Sequence, residues 1–371
     1  MSPYVVLKDR NKNGMIKVEI LEICRQQLPY MVPEDIQFIN DLPRTPRGKI
    51  DYRALEDFGN IRVKDQWYRM SFFEKAIISL TKHKLNKALD LSDIREISAE
   101  GLKEHRDIPY TNRSGKKLLM DIFEPEVAAG TELPVIVNIH GGGLIDGNKN
   151  LSVGFCRQIA KRGYLVCSLE YRLIPDVRVY EQFDDVCAGM DFVGRILVDF
   201  DVDFTRIYLT AESAGAYLAT YVAAMKDSKV LQNAIGYEPS RVKFKAMGLI
   251  SGMFYTTRRD SLGLFLSRSI YGKDERSIAM AEYTNPEHPE IIYHLPPCYL
   301  VTSKADMLER YTLDFAGELG NKGIEHYLRH MGSDPKLIHA FPVLRPDLPE
   351  SERVIDEIIR WFRQHVPPQS E

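Results

Sequence analysis

The sequence predicts an α/β fold in which a mostly parallel central sheet carries helices on both faces, with a small α+β appendage ahead of it. Three observations carry that prediction. From about residue 107 to residue 366, short apolar runs alternate with helical patterns, the order that parallel strands joined by crossover helices demand. One run, Ile207 to Thr210, turns abruptly at Ser213 into a pattern in which Tyr217, Leu218, Tyr221, Val222 and Met225 recur at helical spacing. Another, Leu133 to Ile139, ends in the glycine-rich stretch His140-Gly-Gly-Gly143.

Taken in order, Asp107 to Pro125 gives two strands joined through Asn112-Arg-Ser-Gly115, a hairpin signal. Gly154 to Arg162 suits a helix, Gly163 to Glu170 a strand, and about Tyr180 to Val198 a second helix. Strands follow at Ala246 to Ser251 and from Pro297. Between them residues 253–293 interrupt the alternation, and Phe254, Tyr255, Leu264, Phe265 and Tyr271 either line a pocket or simply pack. The last helix, Glu352 to His365, places Val354, Ile355, Ile358, Ile359, Trp361 and Phe362 toward the sheet, and PPQSE is expected to fray.

Residues 1–58 read differently, with a strand at Tyr4 to Leu7 and a helix whose apolar face is Ile16, Ile20, Cys24 and Leu28, stopped by Pro29. Residues 59–100 form a charged connector with helical patterning, and their place directly before the main domain suits part of a lid. The 371 residues, 44% hydrophobic and 27% charged, suffice for one large α/β domain (101–371) plus the appendage. A net charge of −3 gives no concentrated positive field for nucleic acid or an anionic membrane, so neither is expected as a partner. Apolar runs stay short of the ~18 residues a span requires. The five cysteines, Cys24, Cys156, Cys167, Cys187 and Cys298, lack CxxC spacing and are expected to be reduced core residues of a cytoplasmic protein. Neither metal nor cofactor is expected, because no H-E-x-x-H or paired His/Cys spacing occurs.

The chemistry centres on Ala211-Glu-Ser-Ala-Gly215. A strand-to-helix elbow needs small residues two before and two after its serine, since the backbones pass close together there. Gly215 and Ala211 supply them, the alanine standing where glycine is usual. A helix N-cap is the commoner reason for a serine at such a turn, but the small neighbours favour a nucleophile. A serine reacts only when a base removes its proton and donors receive the oxyanion. Gly142 and Gly143 on the glycine loop, with the N–H of Ala214, are the expected donors. Asp306, just past the strand from Pro297, and His339, in a loop beyond the last strand, complete the chain order Ser, Asp, His. His140 immediately precedes the donors and is expected to brace them; His326 and His330 lie at the last strand. Asp184, Asp185 and Asp203 precede the elbow and violate that order, and Asp334 is too near His339. Arg172 is read as a structural guanidinium needing a carboxylate, with Asp185 as the candidate.

Together HGGG, Tyr171-Arg-x-x-Pro175, the Ser-Ala-Gly elbow, the late aspartate and His339-x-Phe341 make residues 107–366 resemble the hormone-sensitive-lipase-like carboxylesterases of the α/β-hydrolase superfamily. The resemblance implies an α/β-hydrolase fold with a helical lid, the second part of which corresponds to residues 253–293. It also implies a serine carboxylesterase for small, short-acyl esters. Leu144 departs from it, standing where an aromatic residue often follows HGGG, and Glu170 precedes Tyr171 where aspartate is common. Amide, formamide or acyl-thioester hydrolysis on the same three residues is the alternative, and a non-catalytic binding protein that keeps the fold a second one. Leu28-Pro-Tyr-Met-Val-Pro33 and Leu42-Pro-Arg-Thr-Pro-Arg-Gly-Lys49-x-Asp51 resemble the end of the C-terminal subdomain of adenylate-forming enzymes, the acyl-CoA synthetase and adenylation-domain superfamily. For Lys49 that resemblance implies a contact with acyl carboxylate and phosphate; without a large ATP-binding subdomain, the expectation is a solvated lysine in a relic or docking module.

Overall fold

The computed structural model describes residues 4–6, 37–39 and 96–366, apart from 114, 129, 261, 262, 264–266, 268, 273 and 274. The chain divides into two compact units, Met1–Arg69 and Met70–Glu371. In the first, β1 (Tyr4–Val6) pairs in parallel with β2 (Gln37–Ile39), Tyr4 opposite Gln37. The expected helix from Ile16, the stretch containing Lys49, Cys24 and the connector to residue 95 lie outside the described residues. The end of that connector, Glu96–Ala99, is not helical.

The second unit opens with the hairpin β3 (Leu102–Arg113) and β4 (Lys116–Pro125). It continues through β5 (Leu133–Ile139), α1 (Val153–Ala160), β6 (Leu165–Leu169) and α2 (Val179–Ile196). Next come β7 (Val202–Glu212), α3 (Ala214–Met225), α4 (Lys229–Ile235) and β8 (Met247–Ile250). The short helices α5 (Glu275–Met280) and α6 (Pro289–Ile292) precede β9 (Cys298–Ser303). The unit closes with α7 (Glu309–Asn321), β10 (His326–Met331), α8 (Phe341–Leu344) and α9 (Pro349–Gln364). The hairpin starts five residues earlier than its hydrophobic pattern suggests, because the outer strand β3 is half-exposed and carries Lys103, Glu104, His105 and Arg106.

Eight strands form one sheet in the order β10-β9-β8-β7-β5-β6-β4-β3. Pairing is parallel throughout except that β4 runs against both β6 and β3. The alternation of the central strands sorts two cores. Val135, Val137 and Ile139 of β5, with Ile207, Leu209 and Ala211 of β7, face a cluster containing Phe183 of α2 and Tyr217 and Leu218 of α3. Ile136 and Tyr208 point the other way, toward Phe155 and Ile159 of α1 and Ile355, Ile358 and Phe362 of α9. Tyr208 stacks on Phe362 at 4.6 Å. The four described cysteines are buried free thiols. Among the described residues no helix is long and apolar enough to cross a membrane.

The loop after β6 is pinned to α2 by the pair anticipated from the sequence. Arg172 donates Nε to Asp185 Oδ2 and Nη2 to Oδ1, both at 2.8 Å, and its backbone N–H to Oδ2 at 3.0 Å. Asp185 is fully enclosed and Arg172 nearly so. Removing one partner strands the other charge in the interior, so Asp185→Ala should cost about 3–5 kcal/mol, read as a lowered thermal midpoint; an unchanged midpoint contradicts this account of the loop.

Candidate active site

The site follows from strand register. Ile139, the last residue of β5, lies opposite Ala211 of β7, so the glycine loop and the elbow leave the sheet side by side. Glu212 lies opposite Ile250, and Ile250 opposite Val301, which puts the ends of β7, β8 and β9 at the same rim. This is the carboxyl edge, beside the point where the chain crosses from β6 over β5 to β7, where open α/β sheets form ligand crevices.

At that rim Ser213 joins β7 to α3 with φ 53° and ψ −120°, a conformation that L-residues seldom adopt. The helix behind it approaches β5 so closely that a Cβ on Gly215 would lie 2.3 Å from the Ile139 carbonyl oxygen and 2.5 Å from that of His140. Ala211 is tolerated because its methyl joins the core cluster on the α2 and α3 side. The Ser213 carbonyl is held by the N–H of Met253 at 2.9 Å.

His339 and Asp306 reach Ser213 from loops beyond β10 and β9. His339 Nε2 lies 2.9 Å from Ser213 Oγ, and its Nδ1 lies 2.7 Å from Asp306 Oδ1. A carboxylate only accepts, so Nδ1 carries the proton and donates, leaving Nε2 as acceptor for the serine hydroxyl. All three residues are buried. Asp306 also accepts from Thr302 Oγ1 at 2.8 Å and from the Leu308 N–H at 2.9 Å. Burial alone would raise its carboxyl, but the hydrogen bond and charge of His339, with bonds from Leu308 and Ser251, outweigh it and hold Asp306 below its ordinary value.

Ser251 escaped the sequence reading. It accepts the N–H of Ala340, the residue after His339, at 2.9 Å, and its hydroxyl contributes to lowering the Asp306 carboxyl. It therefore ties acid loop and histidine loop together from the end of β8. Ser303 adds a hydroxyl bond to the Leu337 carbonyl on the same loop. A serine at a strand end carries no pattern that announces such a role; its positive φ of 49° emerges only in three dimensions.

The glycine loop is fastened almost entirely through its carbonyls. Tyr171 hydroxyl donates to the His140 and Gly141 carbonyls at 2.9 and 3.3 Å, Gln182 donates to that of Leu144 at 2.9 Å, and Ile145 and Asp146 N–H groups turn back to Gly142. His140 stacks on Tyr171 at 4.3 Å and donates Nδ1–H to the Gly141 carbonyl, and burial pulls its imidazole down to about 4, so it is neutral. Among the described residues the N–H groups of Gly142, Gly143 and Ala214 make no hydrogen bond. A side chain at Gly142 would sit 1.9 Å from the Asp146 carbonyl oxygen, so only glycine fits.

Other residues have different employment. Leu144 is fully buried and its carbonyl is bonded to Ile174 and Gln182. Phe254 packs on Phe315 at 4.3 Å, Tyr255 on Tyr311, and Tyr271 bonds Tyr217 and Thr256 through its hydroxyl, so these three aromatics serve the core. Leu264 and Phe265 lie outside the described residues. His326 bonds the Ile324 carbonyl and His330 pairs with Glu309.

A mostly parallel eight-stranded sheet with a serine at a strained elbow after β7, facing a histidine and an aspartate from later loops, is the α/β-hydrolase fold. Comparison with known proteins agrees. A family model, BD-FAE, matches residues 120–258. A probable isoprenylcysteine alpha-carbonyl methylesterase (ICMEL1) of Arabidopsis thaliana is 26% identical over 246 residues, 63% of this chain and 49% of its own length. Esterase LipQ of Mycobacterium tuberculosis is 27% identical over 158 residues, 42% of this chain and 37% of its own. The chain thus spans half or less of these relatives. Among solved structures, esterase B of Lactobacillus rhamnosis, described with a tributyrin phosphonate, has a TM-score of 0.71 at 22% identity and covers 80% of this chain and 96% of its own, a likeness of fold.

Two outcomes follow from this geometry. Ser213→Gly should release backbone strain and raise stability by about 1–2 kcal/mol, whereas Gly215→Ala should lower it by about 1–3 kcal/mol, both read by calorimetry; a neutral Gly215→Ala overturns the close-approach argument. Because the folded Asp306 carboxyl sits below its unfolded value, its contribution to stability is complete above the unfolded value and is lost as pH falls through the folded one. Thermal midpoint against pH should therefore slope less steeply at the acid end in Asp306→Asn.

Proposed function

We propose that the protein is a serine carboxylesterase that hydrolyses small, short-acyl esters through an acyl-enzyme. The observation that supports this best is the unbroken hydrogen-bond chain Ser213–His339–Asp306, with Ser213 held in strained backbone beside three unclaimed N–H groups. In this reading Ser213 Oγ attacks the ester carbonyl as its proton passes to His339 Nε2, and Asp306 steadies the resulting imidazolium. The carbonyl oxygen takes up the negative charge and is received by the N–H groups of Gly142, Gly143 and Ala214. The tetrahedral adduct collapses, the C–O bond to the alcohol breaks, and the departing oxygen takes the proton from His339. Water then attacks the acyl-serine by the same route, returning a carboxylic acid and the free hydroxyl.

The ester substrate class rests on the relatives named above, which are esterases. The short-acyl preference leans on the family resemblance and on the tributyrin phosphonate of esterase B. A fluorophosphonate probe should label the wild-type chain and fail on Ser213→Ala, whose kcat should drop on the order of 10⁴-fold or more. Across p-nitrophenyl esters, kcat/KM should peak at acetate or butyrate and decline toward octanoate, and p-nitroanilide and acyl-thioester analogues should turn over more slowly. An unlabelled wild type would remove the hydrolase reading, and faster anilide or thioester turnover would replace the ester with that substrate.

A further inference from the structure

We propose that Glu212 is a positioning residue, an uncharged carboxylic acid that locks the glycine loop onto the elbow and leaves the oxyanion corner free of negative charge. The inference rests on the serine-hydrolase reading. It starts from a contact that the proposed mechanism does not use: Glu212, adjacent to Ser213, accepts the Gly141 N–H on Oε1 at 2.6 Å. This is a side-chain bridge between the two backbone segments that carry the expected oxyanion donors. The bridge spans a tight junction, since a Cβ added to Gly141 would lie 2.9 Å from Ser213 Cβ and 3.3 Å from Glu212 Oε1. Gly142 and Gly143 follow Gly141 directly, and Ala214 is two residues from Glu212, so the bridge fixes the donors of both segments relative to one another.

The carboxyl is an unusual tenant of this position. It is 3% exposed, its Oε2 is buried without a hydrogen-bond partner, and among the described residues no cation lies within ion-pair distance. An isolated buried carboxylate is far costlier than the acid, so the geometry favours the protonated form. Burial, partly offset by the backbone N–H bonds of Gly141 and Glu212, pushes it up to about 8. The titratable groups that interact with it are Tyr171 beyond β6 and Cys156 on α1, and His140 directly precedes the bridged Gly141. Burial pushes Tyr171 and Cys156 well above their ordinary values and holds His140 down at about 4. Glu212 is thus the member of this group whose charge changes in mildly alkaline solution. The sign is fixed: the acid is neutral below about 8, and as pH rises through that value an unpaired anion appears beside the place where the ester oxygen becomes negative, opposing it.

Glu212→Gln keeps an acceptor for Gly141 without an ionisable proton, and Glu212→Ala removes the bridge. With a p-nitrophenyl ester, Glu212→Ala should lose roughly tenfold to a hundredfold in kcat with KM changed less than about twofold, the mark of a misplaced oxyanion site rather than lost substrate binding. Glu212→Gln should restore kcat to within about threefold at neutral pH and lack the fall in kcat that the wild type shows as pH rises through about 8. His339 is common to both proteins, so the difference between the profiles isolates Glu212. Wild-type kcat in a folded Glu212→Ala, or the same alkaline fall in Glu212→Gln, overturns the proposal while fluorophosphonate labelling of Ser213 preserves the parent reading. Absence of labelling in the wild type overturns both. Should Glu212→Ala fail to fold, the Glu212→Gln profile decides.

Discussion

The parallel register of β5 against β7 governs this site. With Ile139 opposite Ala211, two chain segments that differ in every other respect, one glycine-rich and one turning into a helix, must leave the sheet side by side. The strands stand only about 4.8 Å apart, so whatever follows has to be nearly free of side chains where it crosses. Gly215 answers that demand from the helix and Gly141 from the loop, each within 2.9 Å or less of foreign atoms if given a Cβ. A slip of one residue in that pairing would also exchange the two cores, sending Tyr208 toward α3 and Leu209 toward α9. Register, core and site are therefore one constraint, enforced by the bulk of the fold.

Backbone strain is concentrated where that constraint is tightest. Of the five non-glycine residues with positive φ among the described residues, Ser213, Ser251, Ala340 and Leu144 belong to the elbow or to the loops around it. Each is over-determined by neighbours: Ser213 by the Met253 N–H on its carbonyl, Ser251 and Ala340 by their mutual bond, Leu144 by Gln182 and Ile174. Such conformations cost on the order of 1–3 kcal/mol each and persist only when the surroundings insist. The continuous apolar layers on both faces of the sheet are what offset that cost.

Much of this could be read along the chain, and the reasons differ by residue. Gly215, the glycine loop, Asp306 and His339 stood out because the geometry of an elbow and of strand ends restricts residue type and order. The Arg172–Asp185 pair was legible for a simpler reason, that a buried guanidinium needs a carboxylate. Ser251, Thr302 and Ser303 were not legible, since one hydroxyl at the end of a strand looks like any other until the register sets it against a neighbouring loop. The aromatic residues Phe254, Tyr255 and Tyr271 were ambiguous for the opposite reason: pocket wall and core share the same spacing, and only the partners Phe315, Tyr311 and Tyr217 settle the matter. The edge strand β3 began earlier than its pattern implied because an outermost strand has no need of an apolar face along its whole length.

The way the glycine loop spends its hydrogen bonds bears on how charge can be handled here. The carbonyls of His140, Gly141, Gly142 and Leu144 are all engaged, by a tyrosine hydroxyl, a neutral imidazole, backbone N–H groups and a glutamine amide. The donors of Gly142, Gly143 and Ala214 are left over, the last at the N-terminus of a helix. A segment whose acceptors are satisfied and whose donors are not presents a positive potential without any cationic side chain. That potential is fixed in direction by the sheet and requires no reorganisation when negative charge arrives. It also has no counter-charge to keep it bound to a resting anion, as a buried lysine or arginine would. In the reaction proposed above, these donors would meet negative charge only as it develops on the ester oxygen.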